Sequence, residues 1–455
     1  MDALGVSASF EDNGYLTHES VEQLRRAQMA VKAVSAYEFA LPINGLQQWH
    51  LGFLRDAEHG DWVLYDSLAQ KAPILTSNES TPYTVTYVDL TESAYYMEIP
   101  AGHIAGLVLD LYQRPQADLG VLGPDEGGGG RYLLVGPGAS LPEDHAADFV
   151  IQSSCNLVFI GTRIIGGDHA SVEALRRQHY VYQVGGSRDD QKWIAASEDP
   201  DWSGEPSRGL DFWRDVFDVL ANEPVEGMNR VILTQLRDLG ITKSGGFNPN
   251  EEQRALLAEA AVTGDAIAMV NTFSKESYKS RHWPDRDWRY ILNQSRLDLM
   301  HPDYYEAKEI ASYTYEAITT SKGMVLPTRD QGSKYLGAYI DDDGEWLDGS
   351  HTYQITIPPD PPVVDFWSIA VYTNDTRTLI LNDQGRAVVS SQQDLLVEPD
   401  GTVKVFIGPS APDGYEANWV QSHPGTGFFV YLRLYGPTEA YYDKSWIMAN
   451  VQRIA

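Results

Sequence analysis

Two groups of short Val-, Ile-, Tyr- and Thr-rich runs enclose a stretch of helical periodicity, and that order constrains the fold more than any other feature of the chain. The first group is WVLY (62–65), APILT (72–76), TVTYVDL (84–90), AYYMEI (94–99), IAGLVLDLY (104–112), YLLVG (132–136) and NLVFIGTRII (156–165). Turn residues separate these runs, so they read as a mostly antiparallel sheet system. From Asp168 the period becomes 3.6, predicting helices over 168–179, 208–221, 226–238, 250–275 and 303–322. Beyond Lys334 the runs KYLGAYID, HTYQITIP, DFWSIAVYT, TLILN, TVKVFIG, FFVYLRLY and IMANVQRI recur at the spacing of a sandwich or jelly roll.

A leading helix precedes the first group: Ser20 and Gln23 form a capping box, and Val21, Leu24, Ala27, Val31 and Val34 share a face until Pro42. A chain of 455 residues exceeds what one core organises. The expected fold is α+β and β-rich. A mostly antiparallel sheet domain with its leading helix spans 1–166, a helical middle segment 167–330, and a C-terminal β-sandwich or jelly-roll-like domain 331–455.

The balance of 34 basic against 64 acidic side chains, a formal charge of −30, repels phosphate backbones and anionic membranes. Neither nucleic acid nor a membrane is therefore an expected partner, and no run approaches the roughly 20 apolar residues of a membrane span. The start, MDALGVSASFEDNGYL, has neither the basic nor the apolar region of a leader. The expected location is the cytoplasm, with an exported form whose leader has been removed as the alternative. A homodimer is left open. The lone Cys155, inside an apolar run, reads as a small buried side chain.

Several motifs invite chemistry and resolve into simpler readings. GPDEGGGGRYLLVGPG (123–138) leads into a strand and lacks a Gly-Lys-Ser/Thr ending, so it is a loop rather than a phosphate cradle. DDDGEWLDGS (341–350) lacks the alternating acids and final Glu of a calcium loop and reads as a turn. No histidine pair has helical metal spacing; His301, Glu306 and Glu309 read as the polar face of a helix start, and no metal is expected. There is no GxSxG elbow, and Ser368 lies inside a strand run.

TSNESTPYTVTYVDL (76–90), DFWSIAVY (365–372) and EANWV (416–420) each place amide, carboxylate or hydroxyl groups beside large aromatics near a strand end. That mixture suits a mostly apolar pocket with a few directional hydrogen-bonders; equally, Asn78 and Asn418 could tie loops through backbone bonds. These segments, with GGGGRYLLVGPG, GTRI, LDGSHTYQITIP and FFVYLRLYGPTE ending at Trp446, resemble a two-domain bacterial family: domain of unknown function 1254 followed by domain of unknown function 1214. The resemblance implies a coiled, bifurcated sheet region first and a β-sandwich last. It carries family positions onto Asn78, Thr81, Tyr83, Asp89, Arg163, Trp367, Ser368, Glu416, Asn418 and Trp419. Ser80 stands where the family's Asn-x-Asp-Thr-x-Tyr pattern has an acid, and the export leader many members carry is not seen.

The functional expectation is an enzyme acting on a small organic molecule in an interdomain pocket, by hydrolysis, elimination or rearrangement, with no cofactor. Asn78, Thr81 and Asn418 would stabilise negative charge, Arg163 would hold a carboxylate, and Asp89 or Glu416 would move a proton. Tyr83, Ser368 and Tyr372 complete the binding set, and Trp367 and Trp419 would wall the pocket. The alternative is a non-catalytic ligand-binding, structural or envelope-associated protein with an exposed aromatic patch.

Overall fold

A computed structural model describes residues 7–141, 145–225, 227–275, 280–292 and 302–454. The chain opens with a helix of 39 residues, α1 (His18–Asp56). Thr17 rather than Ser20 is its cap, its hydroxyl accepting the Ser20 N–H at 3.3 Å. The helix also runs through Pro42 instead of stopping there. Every residue from Ala40 to Gln47 is buried, so packing outweighs the lost backbone bond, and Gln113 Nε2 donates to the Pro42 carbonyl at 3.1 Å.

Ten strands follow among the described residues: β1 (Trp62–Tyr65), β2 (Tyr83–Asp89), β3 (Tyr95–Ile99), β4 (Ile104–Leu109), β5 (Pro115–Gly120), β6 (Gly130–Val135), β7 (Phe149–Gln152), β8 (Leu157–Ile164), β9 (Tyr180–Gln183) and β10 (Trp193–Ala195). They form a six-stranded sheet, β10-β1-β2-β8-β4-β5, and a four-stranded sheet, β7-β6-β3-β9. Pairing is antiparallel except for β1 with β10 and β6 with β7. Trp62, Val88, Val108 and Ile160 pack between the sheets. On the other face of the six-stranded sheet Tyr87, Leu109 and Phe159 meet Leu46, Trp49 and Phe53 of α1. APILT is not a strand: the capping box of Ser67 and Gln70 starts a short helix, α2 (Leu68–Lys71), and turns fill the rest. Because β9 and β10 join these sheets, with α3 (His169–Arg176) leading into them, the N-terminal sheets draw in the chain up to Ala195.

The helical middle, α4 (Gly209–Leu220), α5 (Gly227–Arg237), α6 (Glu251–Phe273) and α7 (Ala307–Glu316), packs around α1, with a small hairpin of β11 (Ile241–Thr242) and β12 (Gly246–Phe247). Its core includes Ala36, Tyr37, Phe212, Trp213, Leu257 and Ile310. Helix α6 is long and apolar enough to cross a membrane by length and composition; here it lies against α1, α4 and α7. Gly264 of α6 sits on the ring of Tyr37, where a Cβ would overlap ring atoms. Gly264→Ala is therefore expected to destabilise the bundle by about 1–3 kcal/mol, read as a lower urea midpoint; an unchanged midpoint would mean the helices separate freely.

The helix expected over 303–322 ends at Glu316, where the chain leaves the bundle. Ala317 is extended, Thr319 has φ of 69°, and only a short turn, α8 (Lys322–Val325), follows. His301 lies outside the described residues. The C-terminal strands are β13 (Arg289–Tyr290), β14 (Ser333–Ala338), β15 (Tyr353–Ile357), β16 (Trp367–Thr373), β17 (Val388–Ser390), β18 (Val403–Gly408), β19 (Trp419–Gln421), β20 (Phe428–Tyr435) and β21 (Gln452–Arg453), with α9 (Glu439–Tyr442) after β20. They build two sheets, β13-β14-β20-β16-β17 and β19-β18-β15-β21. Leu336, Ile369, Val371 and Leu432 of the first join Ile355, Val405 and Ile407 of the second in one apolar core.

Candidate functional site

Strand register assembles one wall of a cavity. Thr84 pairs with Thr162, Arg163 with Ala105, and Leu107 with both Gly161 and Asp118. Alternation then turns Tyr83, Ala105, Leu107, Asp118, Gly161 and Arg163 to the same side of the six-stranded sheet, where all of them line the cavity. The opposite wall is the five-stranded C-terminal sheet, in which Tyr335 pairs with Arg433 and Arg433 with Ser368. Ser333, Tyr335, Tyr431 and Arg433 line it from there, and Trp49, residues 74–77 and residues 317–319 close the sides. The space is about 120 Å³, against the roughly 10–15 Å³ one water needs, which admits a small organic molecule. Thr76 (φ 37°) and Thr319 (φ 69°) sit on its wall in left-handed backbone that β-branched residues adopt only under strain.

Two guanidinium groups and a phenol dominate the polar end. Arg163 Nη2 donates to Ser333 Oγ at 2.9 Å, Nη1 reaches the Tyr335 hydroxyl at 3.5 Å, and Ser333 Oγ and the Tyr335 hydroxyl are 2.7 Å apart. Arg433 Nη2 donates to the Thr76 carbonyl, to the Ser77 carbonyl at 3.2 Å and to the Tyr372 hydroxyl at 2.6 Å. Its guanidinium also lies 4.8 Å from the centre of the Tyr335 ring. Burial pushes the Tyr335 phenol up. The charges of Arg163 and Arg433, with the hydrogen bonds from Ser333 and Arg163, more than offset this and hold it below the ordinary tyrosine value. Around Tyr335 the neighbouring phenols move the other way: burial lifts Tyr83, and lifts Tyr435 to about 12.

Across the cavity Asp118, only 7% exposed, is pushed up to about 6 by burial, which the Lys322 N–H donated at 3.0 Å and the Lys322 charge offset only in part. One chamber thus holds a carboxyl raised toward neutrality and a phenol lowered toward it.

The expected site residues fall into three sets. Tyr83 and Arg163 line the cavity. Asn78, Thr81, Ser368 and Tyr372 form a layer behind it: Asn78 Nδ2 donates to the Tyr435 hydroxyl at 2.6 Å and to Thr81 Oγ1 at 2.9 Å, and its N–H donates to the Tyr83 hydroxyl at 2.6 Å. Asn78 therefore stitches the two sheet domains together and fixes two of the tyrosines. Tyr372 donates to the Ser77 carbonyl at 2.9 Å, and Ser368 sits beside Arg433 on the strand register.

The remaining five do not converge there. Asp89 closes a turn at the far end of β2, accepting the Thr91 N–H at 2.9 Å. Trp367 faces the sandwich core, one residue out of phase with Ser368. Glu416 is exposed, accepting the Gly414 N–H at 3.3 Å. Asn418 is occupied by main chain alone, donating to Leu396 and Lys404 carbonyls at 2.8 and 2.9 Å and accepting the Leu396 N–H at 2.9 Å. Trp419 Nε1 donates to the Gly408 carbonyl at 2.9 Å. This cluster ties loops at the edge of the second C-terminal sheet.

Asp118, Ser333, Tyr335 and Arg433 were not among the residues expected from sequence. For Arg433 alone a partial signal was present in FFVYLRLY, where Tyr431, Arg433 and Tyr435 alternate with Val430, Leu432 and Leu434: a guanidinium amid tyrosines on one face of a central strand.

Fold and site together define a two-domain, β-rich α+β protein whose cavity takes one wall from each sheet domain. The chain belongs to the two-domain family of proteins of unknown function in which DUF1254, matching residues 62–183, precedes DUF1214, matching residues 332–439. Tyr83, Asp118 and Arg163 lie in the first matched region, and Ser333, Tyr335 and Arg433 in the second. No curated protein matches the sequence. The crystal structure of the VPA0106 protein from Vibrio parahaemolyticus shares the fold: TM-score 0.58 at 17% identity, over 94% of this chain and 100% of that one. A putative uncharacterized protein from Burkholderia cenocepacia matches at TM-score 0.42 and 12% identity, over 95% of this chain and 97% of that one.

Proposed function

We propose that the protein is an enzyme that relocates a proton on a small organic molecule held between its sheet domains, by isomerisation or elimination and with its own side chains. What supports this reading is the pairing, in one sheltered chamber, of Asp118 raised to about 6 with Tyr335 lowered by two guanidinium groups. Asp118 takes a proton from carbon while the Tyr335 hydroxyl gives one to the oxygen that receives the electron pair. Return of a proton to a different carbon, or loss of a leaving group, completes the turnover. Arg163 and Arg433 stabilise the phenolate left on Tyr335.

Substrate identity is not needed for a test. Incubation in D₂O with a panel of small carbonyl and carboxylic compounds should place deuterium on carbon in at least one of them, read by mass spectrometry. Asp118→Asn should lose that exchange. A panel that stays unlabelled, or a variant that exchanges as fast as the parent, would end the proton-transfer reading.

A further inference from the structure

Among the described residues no carboxylate pairs with the guanidinium groups at the polar end of the cavity; the polar partners of Arg163 and Arg433 are Ser333, Tyr335, Tyr372 and main-chain carbonyls. Arg433 is 5% exposed, and its Nε–H has no acceptor among the described residues although the side chain borders the cavity. A buried guanidinium with an unmet donor is expensive unless something supplies the acceptor. A single ionised phenol at Tyr335 would balance one of the two charges and leave the other.

We infer that the cavity takes a small monocarboxylate with an apolar body, its carboxylate received by Arg433 and Arg163 and its body lying against Leu107, Phe159 and Ile318. Carboxylate and guanidinium match in charge and in paired donor geometry. Beyond the arginines the wall is hydrocarbon and aromatic apart from hydroxyls and the Asp118 carboxyl, none of which would compensate a second negative charge on the ligand. Register supplies the length. Asp118 is two strands across and two residues along from Arg163, so their Cα atoms are about 12 Å apart by strand spacing and rise. A compact acid with its carboxylate at the arginines can therefore present its carbon skeleton toward Asp118. This ligand class rests on reading the cavity as a functional site.

The probes are benzoate and its neutral isostere benzamide, with melting temperature and calorimetric titration as readouts. Benzoate should bind and raise the melting temperature of the unmodified protein, and benzamide should bind at least tenfold more weakly. That comparison needs no variant. Arg163→Gln and Arg433→Gln, where they fold, should each weaken benzoate at least tenfold. Equal binding of the two probes, or no benzoate binding in the millimolar range, overturns the inference, as does undiminished binding by both arginine variants. Tyr335→Phe keeps both guanidinium groups and should still bind benzoate. If benzoate binds but no compound exchanges with deuterium, the ligand class stands and the proton-transfer reading falls.

Discussion

Asp118→Asn and Tyr335→Phe should each lower turnover about 10²–10⁴-fold, the range that a positioned acid or base contributes, and should alter the pH profile on opposite sides. Asp118 acts as base only when ionised. Burial raises its value to about 6, so activity falls as pH drops through that value. Tyr335 acts as acid only when protonated, and its two guanidinium neighbours place its ionisation below the ordinary tyrosine value, so activity falls again on the alkaline side. The result is a bell whose acid limb belongs to Asp118 and whose alkaline limb belongs to Tyr335. Residual activity in Asp118→Asn should lack the acid limb, and in Tyr335→Phe the alkaline one. Ultraviolet titration gives a check free of turnover. The parent should show a phenol ionising ahead of the rest that Tyr335→Phe lacks. Identical titration curves for the two proteins would remove Tyr335 from its role.

The neighbours of Tyr335 explain why one phenol and not another is tuned this way. Tyr435, on the same strand face as Arg433, gives its oxygen to the amide of Asn78, and Tyr372 is spent on the Ser77 carbonyl and on Arg433. Tyr335 is left with Ser333 and the edge of Arg163, at the cavity surface. Asn78 thus acts at one remove: by joining Tyr83 and Tyr435 it sets the spacing of the two domains across the chamber.

How much of this could be read from residues alone follows from the range of each signal. Periodicity is local, so most of the strand runs, though not APILT or TLILN, and the helices over 208–221 and 250–275 were legible, as was the division into sheets around a helical middle. What local pattern cannot encode is which face meets which neighbour. Pro42 looked like a terminus because the surroundings that carry α1 past it, including Gln113, are distant in sequence. Asn418 and Asn78 look alike as loop amides, yet one closes on its own sheet and the other reaches Tyr435 across 357 positions. Arg433 and Tyr335 were hidden for the same reason. Each sits mid-strand, where polar residues usually face water, and only the packing of one sheet against another domain turns that face into a buried wall.

The largest stability effect should come from the buried ion pair beside the site. Lys275 Nζ lies 2.8 Å from Glu316 Oε1, with side-chain exposures of 7% and 0%, and the Tyr339 hydroxyl donates to both Glu316 oxygens at 2.8 and 3.0 Å. The pair joins the end of α7 to the loop after α6 and, through Tyr339, to the chain just beyond β14. Removing either partner strands the other charge away from water. Glu316→Leu or Lys275→Met alone should therefore cost about 3–5 kcal/mol, whereas the double variant should recover much of that because no lone charge remains. Some loss should persist in the double variant, since the Tyr339 hydroxyl is left without its acceptor. A chain with several cores need not unfold in one step, so amide hydrogen exchange in α7 and β14 is the measurement to follow alongside urea denaturation. Single variants within about 1 kcal/mol of the parent would mean that water reaches the pair, against its depth in the fold. The cavity wall depends on the same stretch. Tyr313 of α7 and residues 317–319 just after it border the chamber, so loosening α7 should also weaken benzoate binding without touching either arginine.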